Sequence, residues 1–364
     1  MNESSNMRVL ELYSGIGGMH YALRESGAKG DVVAAVDINT VANDVYKHNF
    51  PEVRLMNRNI QSLTEKEVNR MSINTILMSP PCQPFTRVGL QKDSLDNRSS
   101  SLFHILDLIP KIDTLKYILV ENVKGFESSD TRESLVKCME KSGFQYKELL
   151  LSPCQFGIPN TRTRYYLLAK KSGLHFCFDD SKLEHEISSK ALALLPQTRH
   201  QILAQDDEGN PNTDKKCYTL NNILEQDVNP DYFISKDRLQ KRAWVLDIRN
   251  PKSNGSCCFT KAYGHYLEGT GSVFCPYSEA IIKETYNKAL EKNIHSVEAV
   301  QILQKLGLRF FTPKEVSRLM CFPENFDFPK NITNRQKYRL LGNSINVHVV
   351  SRLIYLLQIE EKLL

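Results

Sequence analysis

The 364-residue sequence lacks the features that cross-link small proteins or anchor proteins in membranes. Its nine cysteines are an odd number, no two form a C-x-x-C pair, and none alternate with histidines at zinc-ligand spacing. These absences argue against a disulfide framework and against a metal site. No apolar run approaches the roughly 18 residues that a membrane span needs, and the polar opening Met1–Asn6 lacks the charged and apolar parts of a signal peptide. We therefore expect a protein of the cytoplasm or nucleus that does not contact a membrane.

The chain also lacks a strong charge of either sign overall. Its net charge is +5, yet residues 301–364 alone hold ten Lys/Arg against five Asp/Glu. The basic and acidic residues of the rest of the chain are therefore equal in number. Such a local basic face suits a polyanionic partner, although an ordinary solvated surface explains it equally well. A content of 41% hydrophobic and 24% charged residues excludes disorder and coiled coils. At roughly 150 residues per domain, the length predicts two domains.

The first 170 residues alternate short apolar runs with amphipathic stretches, which is typical of a parallel sheet covered by helices. Four runs predict strands that are buried on both faces: Arg8–Tyr13, Val32–Val36, Thr75–Met78 and Tyr117–Val120. Two further runs, Gln145–Leu151 and Arg164–Ala169, predict a hairpin that closes the sheet. The alternation is lost from about residue 176 to 305, and Val347–Leu357 then predicts a long terminal helix.

A glycine-rich turn follows the first strand and indicates a nucleotide-like cofactor. The segment Tyr13-Ser14-Gly15-Ile16-Gly17-Gly18 leads into a helical stretch, and Asp37 stands 19 residues later at the end of the next strand. A carboxylate at that place can accept hydrogen bonds from both hydroxyls of a ribose. The pattern fits a dinucleotide or S-adenosylmethionine, and a tight turn without a ligand is the alternative.

Three later segments place reactive side chains at the same predicted edge of the sheet. Cys82 lies in the proline-stiffened loop Ser79–Thr86, after a strand, where ligands of doubly wound folds bind. Glu121 ends the next strand and can protonate or hydrogen-bond a bound ring. Arg162 and Arg164 alternate at the hairpin, so their guanidinium groups would face one side and suit a base oxygen or a phosphate.

These elements together resemble the cytosine-5 methyltransferases of the DNA-methyltransferase type. The segments that carry the resemblance are Pro80-Pro81-Cys82-Gln83, Glu121-Asn122-Val123, Phe311-Thr312-Pro313-Lys314-Glu315, Met320-Cys321-Phe322-Pro323 and Gly342-Asn343-Ser344. The resemblance covers nearly the whole chain and implies an α/β, Rossmann-like S-adenosylmethionine-dependent methyltransferase fold with a mostly parallel sheet. It further implies a discontinuous catalytic domain, residues 1–175 and 335–364, and a smaller target-recognition domain, residues 176–334, with a mobile loop at about 205–214.

The resemblance also assigns roles to individual residues. Cys82 would attack C6 of cytosine as a thiolate, and Glu121, Arg162 and Arg164 would complete the catalytic set. S-adenosylmethionine would be bound, and S-adenosylhomocysteine released, by Tyr13, Ser14, Gly15, Ile16, Gly17, Gly18, Asp37, Ile38, Asn59, Ile60, Gln61, Ser79, Pro81, Asn343 and Ser344. At Asn59-Ile60-Gln61 this chain departs from the family, in which an acidic residue is common. Arg87, Lys92 and Arg98 would lie in a loop that closes over a flipped base, a surface loop being the alternative.

The segment from Cys258 to Ser272 resembles the branch of the family that methylates cytosine 38 in the anticodon loop of aspartate transfer RNA. Cys258, Phe259, Thr260, Lys261 and Tyr263 are accordingly predicted to contact the RNA. On an extended chain Lys261 and Tyr263 share one face, so the lysine would meet a phosphate while the tyrosine stacks on an unpaired base. The alternative is a packed tyrosine beside a solvated lysine.

The predicted function is thus methyl transfer to C5 of cytosine in tRNA by a presumed monomer that binds DNA weakly if at all. A DNA cytosine-5 methyltransferase is the main alternative, because both substrates present the same ring. A nucleic-acid-binding scaffold without turnover and a nicotinamide oxidoreductase are the alternatives from other classes. The complete set of catalytic residue types argues against the scaffold, and no acid or base for hydride transfer accompanies the glycine turn.

Overall fold

A computed structural model describes residues 6–81, 100–178, 183–206, 217–293 and 296–359. Its main sheet has seven strands in the order β3-β2-β1-β4-β5-β7-β6. The strands are β1 Met7–Leu12, β2 Gly30–Asp37, β3 Leu55–Asn57, β4 Thr75–Met78, β5 Tyr117–Val123, β6 Phe144–Leu151 and β7 Arg164–Lys171. The first five are parallel, and β7 pairs antiparallel with both β5 and β6. The predicted α/β fold and its closing hairpin are confirmed.

Helices cover both faces of this sheet because the strand side chains alternate between two cores. Val9 and Leu77 belong to one buried cluster, to which α1, α2 and α13 contribute, whereas Leu10 and Ile76 belong to the other, to which α3, α4 and α5 contribute. The helices of these two layers are α1 Gly18–Ser26, α2 Thr40–Asn49, α3 Glu65–Arg70, α4 Ser100–Leu108, α5 Asp130–Lys141 and α13 Val347–Gln358. The sheet is therefore the middle layer of a three-layer arrangement.

A second, three-stranded sheet stands in the region where the sequence alternation is lost. Its strands β8 Ile248–Arg249, β9 Val273–Phe274 and β10 Arg309–Phe310 are short, with β9 in the centre. The accompanying helices are α6 Ser189–Leu194, α7 Arg199–Asp206, α8 Lys236–Arg242, α9 Glu279–Leu290, α10 Val297–Gln304, α11 Pro313–Leu319 and α12 Asn334–Asn343. Of the loop predicted at 205–214, residues 205 and 206 end α7 and the rest lie outside the described residues.

The C-terminal helix α13 returns the chain to the first half of the fold. Ten of its side chains are buried, and it packs against α1. By length and mean hydropathy the stretch Asn334–Gln358 would pass as a membrane span, contrary to the sequence expectation, but 78% of its most apolar window is buried inside the protein. The apolar surface of α13 is thus accounted for by the core.

Candidate active site

A central cavity of about 370 Å³ opens at the carboxyl ends of β1, β2, β4 and β5. This is the edge at which open parallel sheets bind their ligands. The predicted cofactor residues that line it are Tyr13, Ser14, Gly15, Ile16, Gly18, Asp37, Ile38, Ser79, Pro81, Asn343 and Ser344. Glu121, Arg162, Arg164 and Lys261 also line it, so predicted catalytic and cofactor residues share one space.

The turn after β1 forms part of the cavity wall, which includes Tyr13–Ile16 and Gly18 but not Gly17. Gly15 and Gly17 have φ values of 53° and 85°, a left-handed conformation that glycine adopts without strain. A Cβ on Gly18 would lie 2.6 Å from the side chain of Ile345, so this glycine lets the C-terminal segment approach the start of α1. The predicted glycine turn is therefore a tight turn that also packs closely against the last part of the chain.

Asp37 holds this turn in place from the end of β2. Its carboxylate accepts the N–H groups of Gly15 and Asn39, each at 2.8 Å. Burial raises the pKa of Asp37, and these backbone hydrogen bonds oppose the rise. A carboxylate has about four lone-pair positions, so Asp37 can accept further hydrogen bonds from a ligand.

The cavity wall fits S-adenosylmethionine in two further respects. Ser14 Oγ is buried and has no hydrogen-bond partner among the described residues, so a polar ligand group could satisfy it. Ile38 is 67% exposed at the cavity although it is apolar, and a flat ring can cover such a surface. The residues present thus offer a polar and an apolar contact beside the Asp37 carboxylate.

The structure does not bring Asn59, Ile60 or Gln61 to the wall of the central cavity. Asn59 Oδ1 accepts the N–H of Gln61 and Asn59 Nδ2 donates to Gln61 Oε1 at 2.9 Å, while Ile60 is buried in the core. Gln61 Nε2 also donates to Ser100 at the start of α4. The side chains of Asn59 and Gln61 thus form hydrogen bonds with each other, and Asn59 caps the short helical turn after β3.

Glu121 is the second acidic group of the cavity wall, beside Asp37, and is paired with a guanidinium. It is 7% exposed at the end of β5, and Arg164 Nε lies 3.4 Å from its Oε1. Burial raises the pKa of Glu121, although Arg164 and Arg162 oppose the rise. A carboxyl group of raised pKa can carry a proton nearer neutral pH and donate it to a ring nitrogen.

Arg162 binds main-chain carbonyls from two distant segments. Its Nη1 donates to Phe259 O at 3.0 Å, and its Nη2 donates to Gly342 O at 3.1 Å and to Ser344 O. The side chain is 3% exposed. Arg162 therefore ties the segment around Phe259 to the loop after α12, and through this contact it shapes the cavity.

The thiol of Cys258 lies against both arginines. Arg162 Nη1 is 3.3 Å and Arg164 Nη2 is 3.8 Å from its Sγ. Burial on its own would raise the pKa of Cys258, but the two guanidinium groups outweigh it and hold the pKa below its usual value. The two guanidinium groups lie on the same side of the hairpin, as the alternation of the arginines predicts, and both contact the sulfur of Cys258.

Cys82, Arg87, Lys92 and Arg98 lie outside the described residues. The chain that leads to Cys82 is described as far as Pro81, and both Pro80 and Pro81 line the central cavity. Pro80 O accepts a hydrogen bond from Asn122, the residue after Glu121, at 3.4 Å. The segment before the predicted nucleophile therefore enters the cavity next to Glu121.

The prediction that Tyr263 stacks on RNA is wrong. Tyr263 is 2% exposed, and its hydroxyl donates to Ser272 O at 2.7 Å and accepts the N–H of Phe311 at 2.8 Å. The chain is not extended here, because the N–H of Tyr263 closes a turn on Thr260 O at 3.0 Å. Phe259 is equally buried, so of this segment Lys261 alone reaches the wall of the central cavity among the described residues.

Gly342 lines the cavity, but the sequence analysis gave it no role of its own and named it only in the motif Gly342-Asn343-Ser344. A Cβ at this position would lie 2.3 Å from the backbone of Thr260 and Lys261, so only glycine lets α12 approach that segment. Leu340 and Ile345, which also line the cavity, were not predicted. The glycine near the end of α12 was the available signal, since helix interiors seldom retain one without a packing reason.

The fold and site together define a methyltransferase of the α/β class, and comparisons with known proteins agree. The sequence profile described as C-5 cytosine-specific DNA methylase matches residues 7–358. The chain belongs to this family.

Three similar proteins illustrate the range of the match. A Spodoptera frugiperda protein named tRNA (cytosine(38)-C(5))-methyltransferase is 46% identical over 96% of this chain and 98% of its own length. A Dictyostelium discoideum protein named DNA (cytosine-5)-methyltransferase is 40% identical over 96% of this chain and 94% of its own. The crystal structure of a Spodoptera frugiperda DNMT2 mutant superposes with a TM-score of 0.84 at 43% identity, over 97% of this chain and 99% of that one.

Proposed function

We propose that this protein transfers a methyl group from S-adenosylmethionine to C5 of cytosine 38 in the anticodon loop of tRNA, that of aspartate being the expected acceptor. The observation that carries the proposal is the full-length similarity to a relative named for this reaction, over 96% of the chain. The pairing of Glu121 with Arg164 beside the segment that leads to Cys82 supports it, because cytosine chemistry needs both groups.

C5 of the cytosine ring is by itself too weak a nucleophile to accept a methyl group, so the ring must first be activated. In the proposal the Cys82 thiolate adds to C6, forming a sulfur–carbon bond and pushing electron density to C5 and N3. S-adenosylmethionine, where bound, supplies the methyl group that C5 accepts. Loss of the C5 proton to a base and departure of the Cys82 thiolate then restore the aromatic ring as 5-methylcytosine.

Glu121 would stabilise the electron-rich ring during this addition. Its raised pKa favours the protonated form, which can donate to N3 while the other oxygen accepts from the exocyclic amine. Arg164, at 3.4 Å from the carboxyl group, holds its orientation. Arg162 acts as a positioning residue, because its donors are committed to main-chain carbonyls that form the wall of the cavity.

A tRNA loop is a suitable source of the target base. The cytosine must leave its stack to enter a cavity at the edge of the sheet, which costs a few kcal/mol in a duplex and less in an unpaired loop. Lys261, which is exposed at the cavity, could neutralise a phosphate next to the target nucleotide.

The test is labelled-methyl transfer to three substrates under the same conditions: an aspartate tRNA transcript, the same transcript with uridine at position 38, and duplex DNA. We expect label in the first and background in the second. Methylation of DNA faster than of tRNA would favour the second candidate, a DNA methyltransferase, for which the similarity to the Dictyostelium relative is the specific support. Equal label in the transcripts with cytosine and with uridine at position 38 would show that cytosine 38 is not the methylated nucleotide.

Cofactor use can be tested without turnover. In calorimetric titration we expect S-adenosylmethionine to bind and NAD not to bind, since the cavity offers the Asp37 carboxylate and the Ile38 surface but the chain has no recognised hydride-transfer group. NAD binding would revive the oxidoreductase hypothesis. The division into residues 1–175 with 335–364 and 176–334, and a location in the cytoplasm or nucleus, remain predictions.

A further inference from the structure

A second cavity, here called the side cavity, lies beside α12 and has a volume of about 360 Å³. It is lined by the segment 231–235, by α8, by Gly264 and His265, and by α12. The proposed methyl transfer uses none of its residues. Its wall includes the side chains of Asp231, Phe233, Arg238, His265 and Arg335.

The side cavity adjoins the central cavity along one face of α12. Asn334 and Tyr338 line the side cavity, and Gly342, four residues further on, lines the central cavity. Residues at this spacing share a helix face, and at 1.5 Å per residue the walls that Asn334, Tyr338 and Gly342 supply to the two cavities lie about 6–12 Å apart along the helix axis. A stacked strand rises about 3.4 Å per nucleotide, so about two to four nucleotides span this distance.

The recognition segment also passes from one cavity to the other. Lys261 lines the central cavity, whereas Gly264 and His265 line the side cavity. Gly264 has a φ of 78°, and a Cβ there would lie 2.7 Å from the ring of Tyr338. The glycine lets the segment lie directly against α12, so residues 261–265 form part of the wall of both cavities.

The wall of the side cavity combines an exposed ring with cations. Phe233 is 48% exposed, which is unusual for so large an apolar side chain, and the ring of His265 lies nearby on the same wall. Arg335 is exposed at the start of α12, and Arg238 donates to Gly264 O at 3.1 Å from the opposite side. Asp231 is the acidic group of this wall.

These groups match the base and the phosphate of an unpaired nucleotide. A base can stack on the Phe233 ring, Arg335 and Arg238 can bind phosphate, and the Asp231 carboxylate can accept an exocyclic amine. A purely anionic ligand would leave the exposed ring unexplained, and a purely apolar one would leave two guanidinium groups unexplained.

We propose that the side cavity binds an unpaired nucleotide of the same RNA whose cytosine enters the central cavity, two to four nucleotides from that cytosine. The inference rests on the proposed tRNA function. It would give the enzyme a second point of recognition, so that an RNA loop is held at both the target and a neighbour.

The first experiment compares five variants, at four positions, in direct tRNA binding and in methylation kinetics. Phe233→Ala removes the ring and Arg335→Ala removes a phosphate ligand. Tyr277→Ala removes a ring that is 43% exposed in a third cavity, which Phe233 also lines, and so tests whether that cavity binds the RNA instead. Arg70→Ala removes an exposed arginine at the end of α3, five residues before β4 begins and at the opposite edge of the sheet from the central cavity. All four side chains are exposed or partly exposed, so folding should be retained.

We expect Phe233→Ala to weaken tRNA binding about fivefold or more, because a base–aromatic stack contributes this much, and Phe233→Tyr to restore it. Arg335→Ala should raise KM for tRNA and reduce the slope of log affinity against log salt by about one, since one phosphate contact is lost. The value of kcat at saturating tRNA and the affinity for S-adenosylmethionine should stay within twofold of the original. The control variants should behave like the unmodified chain.

A second experiment identifies the nucleotide. Transcripts that each carry one abasic nucleotide near cytosine 38 are titrated against the unmodified chain and Phe233→Ala. One abasic position, two to four nucleotides from cytosine 38, should weaken binding to the unmodified chain and have no effect on the variant, because both changes remove the same stack.

The outcomes separate this inference from the function on which it rests. If the unmodified chain methylates tRNA while Phe233→Ala and Arg335→Ala match Tyr277→Ala and Arg70→Ala, the side cavity is not a nucleotide site. If every abasic effect is the same with and without the ring, Phe233 does not stack on a base. An unmodified chain that does not methylate tRNA at all would overturn the proposed function and this inference together.

Discussion

Glu11 lies beneath the cofactor turn in a fully buried position, and its ionisation should set how stability depends on pH. Its carboxyl oxygens lie 2.8 Å from Tyr46 Oη and 3.3 Å from the N–H of His20, in the first turn of α1. His20 Nδ1 is in turn 3.1 Å from Tyr46 Oη. Burial raises the pKa of Glu11 to about 8, against the hydrogen bonds from Tyr46 and His20.

The sign and the size of the effect follow from this pKa. The folded chain binds the Glu11 proton more tightly than the unfolded chain, whose glutamate titrates near 4.5. The contribution to stability is therefore complete below pH 4.5 and is lost as the pH rises through 8. At 1.36 kcal/mol per pKa unit, the loss amounts to about 3 kcal/mol at pH 7 and about 5 kcal/mol above pH 8.

Glu11→Gln should remove this loss. The amide is neutral at every pH, can accept the N–H of His20 and can donate to Tyr46, so the buried network persists. We expect the variant to be more stable than the unmodified chain by an amount that grows by about 1.3 kcal/mol from pH 6 to 7 and by about 1 kcal/mol from pH 7 to 8, where Glu11 begins to ionise in the folded chain. Urea unfolding at pH 6, 7 and 8 measures the difference, with the exposed Glu291→Gln as the control that removes the same charge.

Two results would refute this reasoning. A difference between Glu11→Gln and the unmodified chain that stays constant from pH 6 to 8 would show that Glu11 does not change its protonation on folding. A variant that is less stable at pH 8 would show that the carboxylate is ionised and favourably bound in the folded chain. In either case the protonation state of Glu11 beside Tyr46 in the folded chain would differ from the one argued above.

Three further predictions concern the site and its supporting core. Asp37→Ala should weaken S-adenosylmethionine binding by about 1.5–3 kcal/mol in calorimetric titration, because it removes a charge-assisted ribose contact; unchanged affinity would place the ribose elsewhere. Cys82→Ala should abolish methyl transfer and leave that affinity nearly intact, and covalent trapping of the alanine variant by RNA containing 5-fluorocytosine would exclude Cys82 as the attacking group. Tyr263→Phe should lower the free energy of unfolding by about 1–3 kcal/mol, because Ser272 O and Phe311 N each lose a buried partner; reduced tRNA affinity with unchanged stability would instead make the hydroxyl an RNA ligand.

The main sheet was predictable because its signals are local. β4 is a nearly continuous apolar run since both of its faces are buried, and β1 is mostly apolar for the same reason. Asp37 could be placed because parallel strands end at one edge of a sheet. The same rule located Glu121 at the end of β5. The hairpin β6–β7 followed from two runs around a turn with proline and glycine.

The recognition segment was not predictable in this way, because exposure depends on partners that are distant in sequence. An extended chain would expose Tyr263 to RNA, but the segment turns there and α12 covers the ring through Tyr338. Similarly, alternation correctly placed Arg162 and Arg164 on one side, yet whether each faces a ligand or a carbonyl is decided by residues up to 182 positions away.

The sequence by itself thus determined six of the seven strands of the main sheet, the short β3 excepted, together with the glycine turn and the chemical types of the catalytic set, since periodicity and motif spacing are properties of neighbouring residues. Tertiary structure alone decided that Arg162 binds Gly342 and Ser344, that Cys258 joins the two arginines, and that a second cavity lies beside α12. These features arise where segments separated by about 80 to 180 residues pack together, and local sequence patterns carry no information about such distances.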